Sequence, residues 1–205
     1  MGPVELPQHW PLPDATDLRD ALKAAYDDPG RRYHGTRHLE EVLARLRELR
    51  DAGTVFDDLP VTLAAWFHDS VYDGERDAEE RSAAWAEDGL RGRVDADVVA
   101  EVARLVRLTE THRPEEGDGN GCALSDADLA ILAAGPERYA EYRAAIRDEY
   151  RHLDDQVFRG GRTQVLRHLL AKDTLFHTAY ARDAWEAIAR ANLEHELLEL
   201  AEGPQ

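Results

Sequence analysis

Hydrophobic residues recur along most of the chain at the spacing of an α-helix. The clearest stripe consists of Leu39, Val42, Leu43, Leu46 and Leu49. Later stripes with the same spacing contain Val98, Val102, Leu105, Val106 and Thr109, then Tyr139, Tyr142, Ile146, Tyr150, Leu153 and Val157, then Val165, Leu166, Leu169 and Leu170, and finally Trp185, Ile188, Leu193 and Leu197. The sequence has no strand-like alternation of useful length, so the pattern predicts an all-α protein.

The segment that follows Pro60 differs from these stripes because it is apolar on nearly every face. Residues 61–72 are Val-Thr-Leu-Ala-Ala-Trp-Phe-His-Asp-Ser-Val-Tyr. A helix that is hydrophobic all round is usually buried at the centre of a protein. We therefore expect a buried central helix from Pro60 to Tyr72.

Glycine and proline divide the chain into about eight or nine helical segments. These breakers are Pro29-Gly30, Gly53, Gly74, Gly92, Pro114 to Gly121, Gly135-Pro136 and Gly160-Gly161. Residues 1–14 contain four prolines and are expected to form an extended lead-in. Residues 15–205 are expected to form a single all-α domain, a helical bundle.

The composition narrows the classes of partner. The 205 residues carry a formal net charge of −17, which would repel a nucleic-acid backbone. No stretch approaches the roughly 20 apolar residues that a membrane span needs. The single cysteine, Cys122, allows neither an intrachain disulfide nor a cysteine-based zinc site. The N-terminal residues show no basic region followed by an apolar run, so the expected location is cytoplasmic.

A histidine and an aspartate, His68 and Asp69, interrupt the apolar central segment. A carboxylate inside a buried helix costs several kcal/mol unless it is paired or bound to a metal ion. Taken alone, the pair is equally compatible with a solvent-facing helix end or an aspartate bonded to an arginine.

Two further segments bring ligand-type residues to the interior. Upstream, His34 and His38 lie four positions apart, and His38 is in line with the apolar face of its helix. Downstream, Asp126 and Asp128 lie beside an apolar helix start. Imidazole nitrogens and carboxylate oxygens together suit one divalent cation, such as manganese, iron, cobalt, zinc or magnesium.

This arrangement of a lone histidine, a His-Asp doublet and a distant aspartate resembles the HD superfamily of metal-dependent phosphohydrolases. The longer motifs Tyr-His-x-x-x-His, Trp-Phe-His-Asp-x-Val-Tyr-Asp, Asp-x-Asp-Leu-x-Ile-Leu and Ile-Arg-x-Glu-Tyr resemble a group of predicted HD phosphohydrolases of roughly 200 residues. The resemblance implies an HD-type helical domain whose metal-site core spans roughly residues 30–135. Residues 136–201 would form additional C-terminal helices.

The resemblance also implies the ligands. His38, His68, Asp69 and Asp128 would hold one divalent metal ion, with Asp126 as the alternative last ligand. Two-metal members have more histidines between the doublet and the last aspartate. Because His112 is the only histidine in that interval here, we expect a single metal ion.

Other residues are assigned to catalysis and to substrate binding. His34 would act as a general acid, as the first histidine does in the cyclic-nucleotide phosphodiesterases of the superfamily, although a structural loop histidine is equally compatible. Asp69 is a catalytic candidate as well as a ligand, and Asp73, four residues later, could orient a water molecule or simply end the helix. The candidates for contacting phosphate are His112, Arg147, Arg159 and Arg162, although solvated arginines around a helix-connecting turn are the favoured interpretation of the last three.

The resulting hypothesis is a metal-dependent phosphohydrolase that acts on a small phosphate ester, such as a nucleotide or a related metabolite. The main alternative is a non-catalytic regulatory HD module that binds a metal ion and a nucleotide. A di-iron oxygenase is a third, less favoured alternative because the sequence has too few histidines for its six-ligand site. The stripes of the last two helices are compatible either with core packing or with a homodimer interface.

Overall fold

The computed structural model describes residues 6–74 and 76–202, and within these ranges ten α-helices form an all-α fold without β-strands. The first five helices are α1 (Thr16–Tyr26), α2 (Thr36–Asp51), α3 (Asp58–Phe67), α4 (Ala78–Leu90) and α5 (Ala96–Leu108). The last five are α6 (Gly119–Leu129), α7 (Pro136–Glu149), α8 (Asp155–Leu170), α9 (Ala179–Ala184) and α10 (Glu186–Glu202). Short 3-10 helices cover Leu6–His9 and Ala130–Ala133.

The fold class predicted from periodicity is confirmed, and the number of helices is slightly higher than eight or nine. The final apolar segment is divided near Trp185 into the short helix α9 and the longer helix α10. Thr178 begins α9 because its hydroxyl accepts a hydrogen bond from the backbone N–H of Ala181.

Helix α3 is the buried centre of the molecule, as its apolar sequence indicates. It packs against α2, α4, α5 and α6. Its buried residues are Pro60, Val61, Leu63, Ala64, Ala65, Trp66 and Phe67. Because three or more faces of the helix are covered, the residues at its end are also brought into the interior.

The central helix ends at Phe67 and does not continue to Tyr72 as predicted. The Ser70 N–H donates to the carbonyl of Phe67 in a tight turn, at 2.9 Å. The Val71 N–H donates to the hydroxyl of Ser82 in α4, at 3.0 Å. The helix ends here because groups from other elements satisfy the backbone of this segment. His68 and Asp69 therefore lie in the turn that follows α3.

The described part of the N-terminal lead-in, residues 6–14, begins with a 3-10 helix and packs against the core, so it is not extended throughout. Leu6–His9 form a 3-10 helix, and Trp10 packs edge-on against Trp66 of α3 with ring centroids 5.2 Å apart. Residues 1–5 of the predicted lead-in lie outside the described residues. Among the helices that the structure describes, none has the length and apolarity required to cross a bilayer.

The C-terminal helices are joined by a buried ion pair. Arg162 of α8 donates to both carboxylate oxygens of Glu196 in α10, at 2.7 and 3.0 Å. The hydroxyls of Tyr142 and Tyr139 in α7 complete the group by bonding to Arg162 and to Glu196 respectively. This network fixes α7, α8 and α10 relative to one another.

Candidate metal centre

Four ligand-type side chains from three parts of the chain converge at the end of the central helix. His38 comes from the first turn of α2, His68 and Asp69 from the turn after α3, and Asp128 from the last turn of α6. The His38 Nε2 atom lies 3.1 Å from His68 Nε2, 3.1 Å from Asp128 Oδ1 and 3.4 Å from Asp69 Oδ2. His68 Nε2 lies 3.2 Å from Asp69 Oδ2 and 3.7 Å from Asp128 Oδ1.

The spacings among His38, His68 and Asp69 suit ligands of one cation, and Asp128 adjoins this group through His38. Ligand atoms about 2.1 Å from a metal ion are separated from their neighbours by about 3.0–3.4 Å in octahedral or tetrahedral coordination. In addition, His68 Nδ1 is 2.8 Å from the carbonyl oxygen of Ala65, which can only accept, so Nδ1 carries the hydrogen. In neutral His68 the lone pair is therefore on Nε2, the atom that faces the other ligands.

The electrostatics of the cluster also favour a positive charge at this position. Burial alone would lower the pKa of His38, but the carboxylates of Asp128 and Asp69 outweigh burial and raise it to about 10. Burial opposes ionisation of Asp128, and the charges of His68 and His38 overcome it and hold the pKa of Asp128 at about 2. Without a metal ion, the site therefore retains a proton on an imidazole between two ionised carboxylates.

Asp126, the alternative last ligand, does not face this cluster. Its carboxylate is fully buried and accepts the backbone N–H groups of His177 and Thr178, at 2.8 and 2.7 Å. It thereby joins α6 to the N-terminus of α9. Asp128 is the aspartate of α6 that the structure brings to the two histidines.

His34 lies beside the cluster and is held by a glutamate that the sequence analysis gave no role. Its Nδ1 is 2.7 Å from Glu149 Oε2, and its ring stacks on Tyr72 with centroids 4.0 Å apart. The other oxygen of Glu149 accepts the backbone N–H groups of Arg32, Tyr33 and His34. Glu149 is the glutamate of the Ile-Arg-x-Glu-Tyr motif, so a sequence signal for it existed.

His112 also approaches the cluster, from the turn after α5. Its Nε2 lies 3.6 Å from Asp128 Oδ2, and its backbone has a φ of 49°. Burial lowers the pKa of His112, which favours the neutral imidazole. The structure thus places the His112 imidazole next to the Asp128 carboxylate, where it can contact a molecule bound at the candidate centre.

Asp73 does not reach the cluster. The prediction placed it on the same helical face as Asp69, but the chain is not helical between these residues. The exposed carboxylate of Asp73 pairs with the Arg81 guanidinium of α4 at 3.0 and 2.6 Å.

The three arginines predicted to contact phosphate are all engaged elsewhere. Arg147 bonds to Asp155 and to the carbonyls of Tyr150 and Leu153. Arg162 is buried in the ion pair with Glu196, and Arg159 donates to the carbonyl of Leu200. Backbone carbonyls and carboxylates of the C-terminal part of the chain thus accept hydrogen bonds from all three guanidinium groups.

Arg31 is the guanidinium that the structure places next to the centre, and nothing in the local sequence marks it. It donates to the backbone carbonyls of Asp69 and Ser70, and it lies over the rings of Tyr26 and Tyr72 at 5.3 and 5.9 Å. The Tyr26 hydroxyl in turn accepts the Asp69 N–H at 3.2 Å. Arg31 and Tyr26 together hold the turn that presents His68 and Asp69.

Comparison with known proteins gives no assignment, because no family model, curated protein or solved structure matches this chain.

Proposed function

We propose that the protein is a metal-dependent phosphohydrolase of the HD type, acting on a small phosphate ester such as a nucleotide. The observation that carries the proposal is the convergence of His38, His68 and Asp69, whose ligand atoms lie 3.1–3.4 Å apart, with Asp128 Oδ1 3.1 Å from His38 Nε2. Two imidazoles and two carboxylates from three parts of the chain rarely meet in a protein interior unless a cation balances them.

His38, His68 and Asp69 would hold a divalent cation, since their donor atoms and spacing fit one, and Asp128 beside His38 would be the fourth ligand. A cation in such a site supplies Lewis-acid polarisation of a phosphoryl oxygen and makes water a better nucleophile at neutral pH. The charges of the histidines keep the pKa values of Asp69 and Asp128 low despite burial, so both carboxylates stay ionised and hold positive charge.

His34 is positioned to move a proton during hydrolysis. Glu149 engages its Nδ1, which leaves Nε2 as the atom that can donate. When water attacks phosphorus and the phosphorus–oxygen ester bond breaks, the protonated His34 gives its Nε2 proton to the departing oxygen. This general-acid step makes the alcohol a better leaving group.

Metal analysis and phosphate release from a nucleotide panel, with manganese, cobalt or magnesium, test the proposal. Asp128→Asn removes a ligand charge, and Asp126→Asn is the matched control two residues away in the same helix. We expect about one equivalent of metal in the wild type and in Asp126→Asn. Asp128→Asn should lose the metal and at least about 100-fold in kcat/KM.

The outcomes separate the two hypotheses for this site. Metal binding without turnover of any phosphate ester would favour the regulatory module, and a thermal-shift screen for nucleotides would follow. If Asp128→Asn retained metal as well as the Asp126→Asn control does, the four-ligand centre would be wrong.

A further inference from the structure

A small cavity opens directly beside two of the candidate ligands. Its volume is about 220 Å³, roughly fifteen times the space that one water molecule needs, and its wall includes His38 and Asp128. The charged residues of the rest of the wall are Glu41, Arg45, Glu48 and Arg138, and the remaining ones are apolar. A molecule bound to a cation at the centre can therefore extend into this cavity.

Arg138 brings a guanidinium group to the wall of this cavity. It lies in the first turn of α7, and its side chain is 21% exposed. Its Nε and Nη2 atoms donate to the two carboxylate oxygens of Glu41, at 2.6 and 2.7 Å. Glu41 follows His38 by three residues in α2, a rise of about 4.5 Å, so the ion pair lies about one helical turn from a candidate ligand.

The ion pair with Glu41 occupies one edge of the guanidinium group and leaves the rest available. Glu41 accepts one hydrogen bond from Nε and one from Nη2. Within residues 6–74 and 76–202, Nη1 has no hydrogen-bond acceptor, and the Glu141 carboxylate is 3.9 Å from it, beyond hydrogen-bond distance. Glu41 thus fixes the orientation of the planar group, while Nη1 keeps its donors for a bound anion.

The other arginines considered above lack this combination of features. None of Arg147, Arg159 and Arg162 is on the cavity wall, and all three bond to acceptors in the C-terminal part of the chain. Arg31 is also off the wall and donates to backbone carbonyls of the turn after α3. Arg45 lines the cavity, but it is four residues farther along α2 than Glu41 and pairs with Glu48.

We infer that Arg138 binds the phosphoryl group of the substrate, with Nη1 donating to one of its non-ester oxygens. The inference rests on the proposed function for the presence of the phosphoryl group at the centre. Hydrogen bonds from a guanidinium to phosphate are roughly twice as strong as those between neutral groups. The class of ligand is a tetrahedral oxyanion, either inorganic phosphate or a phosphate ester.

Titration calorimetry of the manganese-loaded protein with inorganic phosphate tests this inference without requiring turnover. Arg138→Met removes the guanidinium group. Arg37→Met is the matched control, because Arg37 also contacts Glu41, at 3.3 Å, but does not line the cavity. Arg138→Met should bind phosphate about ten- to a hundredfold more weakly, the effect of one hydrogen bond to a charged group, and Arg37→Met should bind it like the wild type.

A lysine variant and the manganese affinity separate anion binding from a purely structural role. Arg138→Lys keeps the positive charge but replaces the planar fork with one ammonium group, so it should recover part of the lost phosphate affinity. Manganese affinity should not fall in any of these variants, because Arg138 contacts the anion and not the cation. A change that only disturbed His38 through Glu41 would weaken manganese and phosphate binding together.

Four results would overturn the inference. They are no phosphate binding by the manganese-loaded wild type, equal phosphate affinity of Arg138→Met and the wild type, equal losses in Arg138→Met and Arg37→Met, or a parallel fall in manganese affinity. Failure of the proposed function gives a different pattern. In that case phosphate would bind in an Arg138-dependent manner, but the protein would release no phosphate from any ester.

Discussion

At the scale of single residues, the His34–Glu149 contact changes how His34 can be interpreted. A loop histidine bonded to backbone and a proton donor were equally compatible with the sequence. In the structure its Nδ1 meets a carboxylate instead of a carbonyl, at 2.7 Å. Glu149 is held by three backbone N–H groups and its pKa is lowered, despite burial, by hydrogen bonds from His34 and the backbone. An ionised carboxylate is therefore fixed behind the imidazole.

Replacement of this carboxylate tests whether Glu149 positions a catalytic histidine. Glu149→Gln keeps an oxygen for the backbone N–H groups but removes the charge behind His34. We expect kcat to fall by about tenfold or more, because general-acid catalysis typically contributes a rate enhancement of about 10²–10⁴-fold. KM and metal content should change little. Steady-state kinetics on the most active ester of the panel measures this. A fall in kcat caused only by lost metal would contradict the assignment.

The choice between Asp126 and Asp128 is also made at the residue scale. Residues two apart on a helix point about 200° away from each other, so only one of the two can face His38. Sequence periodicity does not show which of the two aspartates faces His38, because they lie on either side of the buried residue Ala127. Tertiary contacts distinguish the two aspartates, because backbone N–H groups at the N-terminus of α9 donate to the carboxylate of Asp126.

At the scale of elements, the C-terminal helices are specified by polar as well as apolar contacts. The stripe from Tyr139 to Val157 predicted one helix that a break at Gly160-Gly161 would separate from the next. In the structure α7 ends at Glu149, and α8 runs from Asp155 through both glycines to Leu170. The stripes also did not predict the ion pair between α8 and α10. Arg162 and Glu196 are both buried, and burial opposes the charge of Arg162 while Tyr142 and Glu196 raise its pKa. In the structure Arg162, predicted as a candidate for contacting phosphate, pairs with Glu196 and links α8 to α10.

A double-mutant cycle measures this packing role. Arg162→Met should destabilise the protein by about 3–5 kcal/mol, because it leaves the Glu196 carboxylate buried without its partner. The double variant Arg162→Met/Glu196→Leu should recover much of that loss in free energy of unfolding. Urea denaturation gives the values, and metal content should not change in any of the variants. A loss of metal in Arg162→Met without a loss of stability would contradict this interpretation.

At the scale of the whole molecule, the candidate centre connects three helices that are distant in sequence. In the metal-free protein, the raised pKa of His38 keeps a proton between Asp69 and Asp128, where the proposed cation would bind. A group whose pKa is raised on folding contributes stability that is complete below its unfolded pKa, about 6.5, and is lost as pH rises through about 10. The lowered pKa of Asp128 contributes above about 3.8 and is lost towards about pH 2.

The metal-free protein should therefore be most stable between about pH 4 and 6.5 and should lose stability from pH 6.5 to 10. Because a cation has to displace the proton on His38, metal affinity should rise by about tenfold per pH unit over the same interval. Thermal unfolding after chelation and competition titrations with manganese at pH 6 and pH 8 measure the two trends. A chelated protein that became more stable between pH 6.5 and pH 9 would refute the proposed proton.

The sequence by itself determined the all-α class, the buried central helix and the residue types of the candidate centre. It could do so because these properties depend on periodicity and on the cost of burying polar groups in an apolar segment. The tertiary structure decided where α3 ends, which aspartate joins the histidines, and which arginines are already paired. Those features depend on partners that are distant in sequence, such as Ser82, Thr178 and Glu196, whose approach no local pattern encodes.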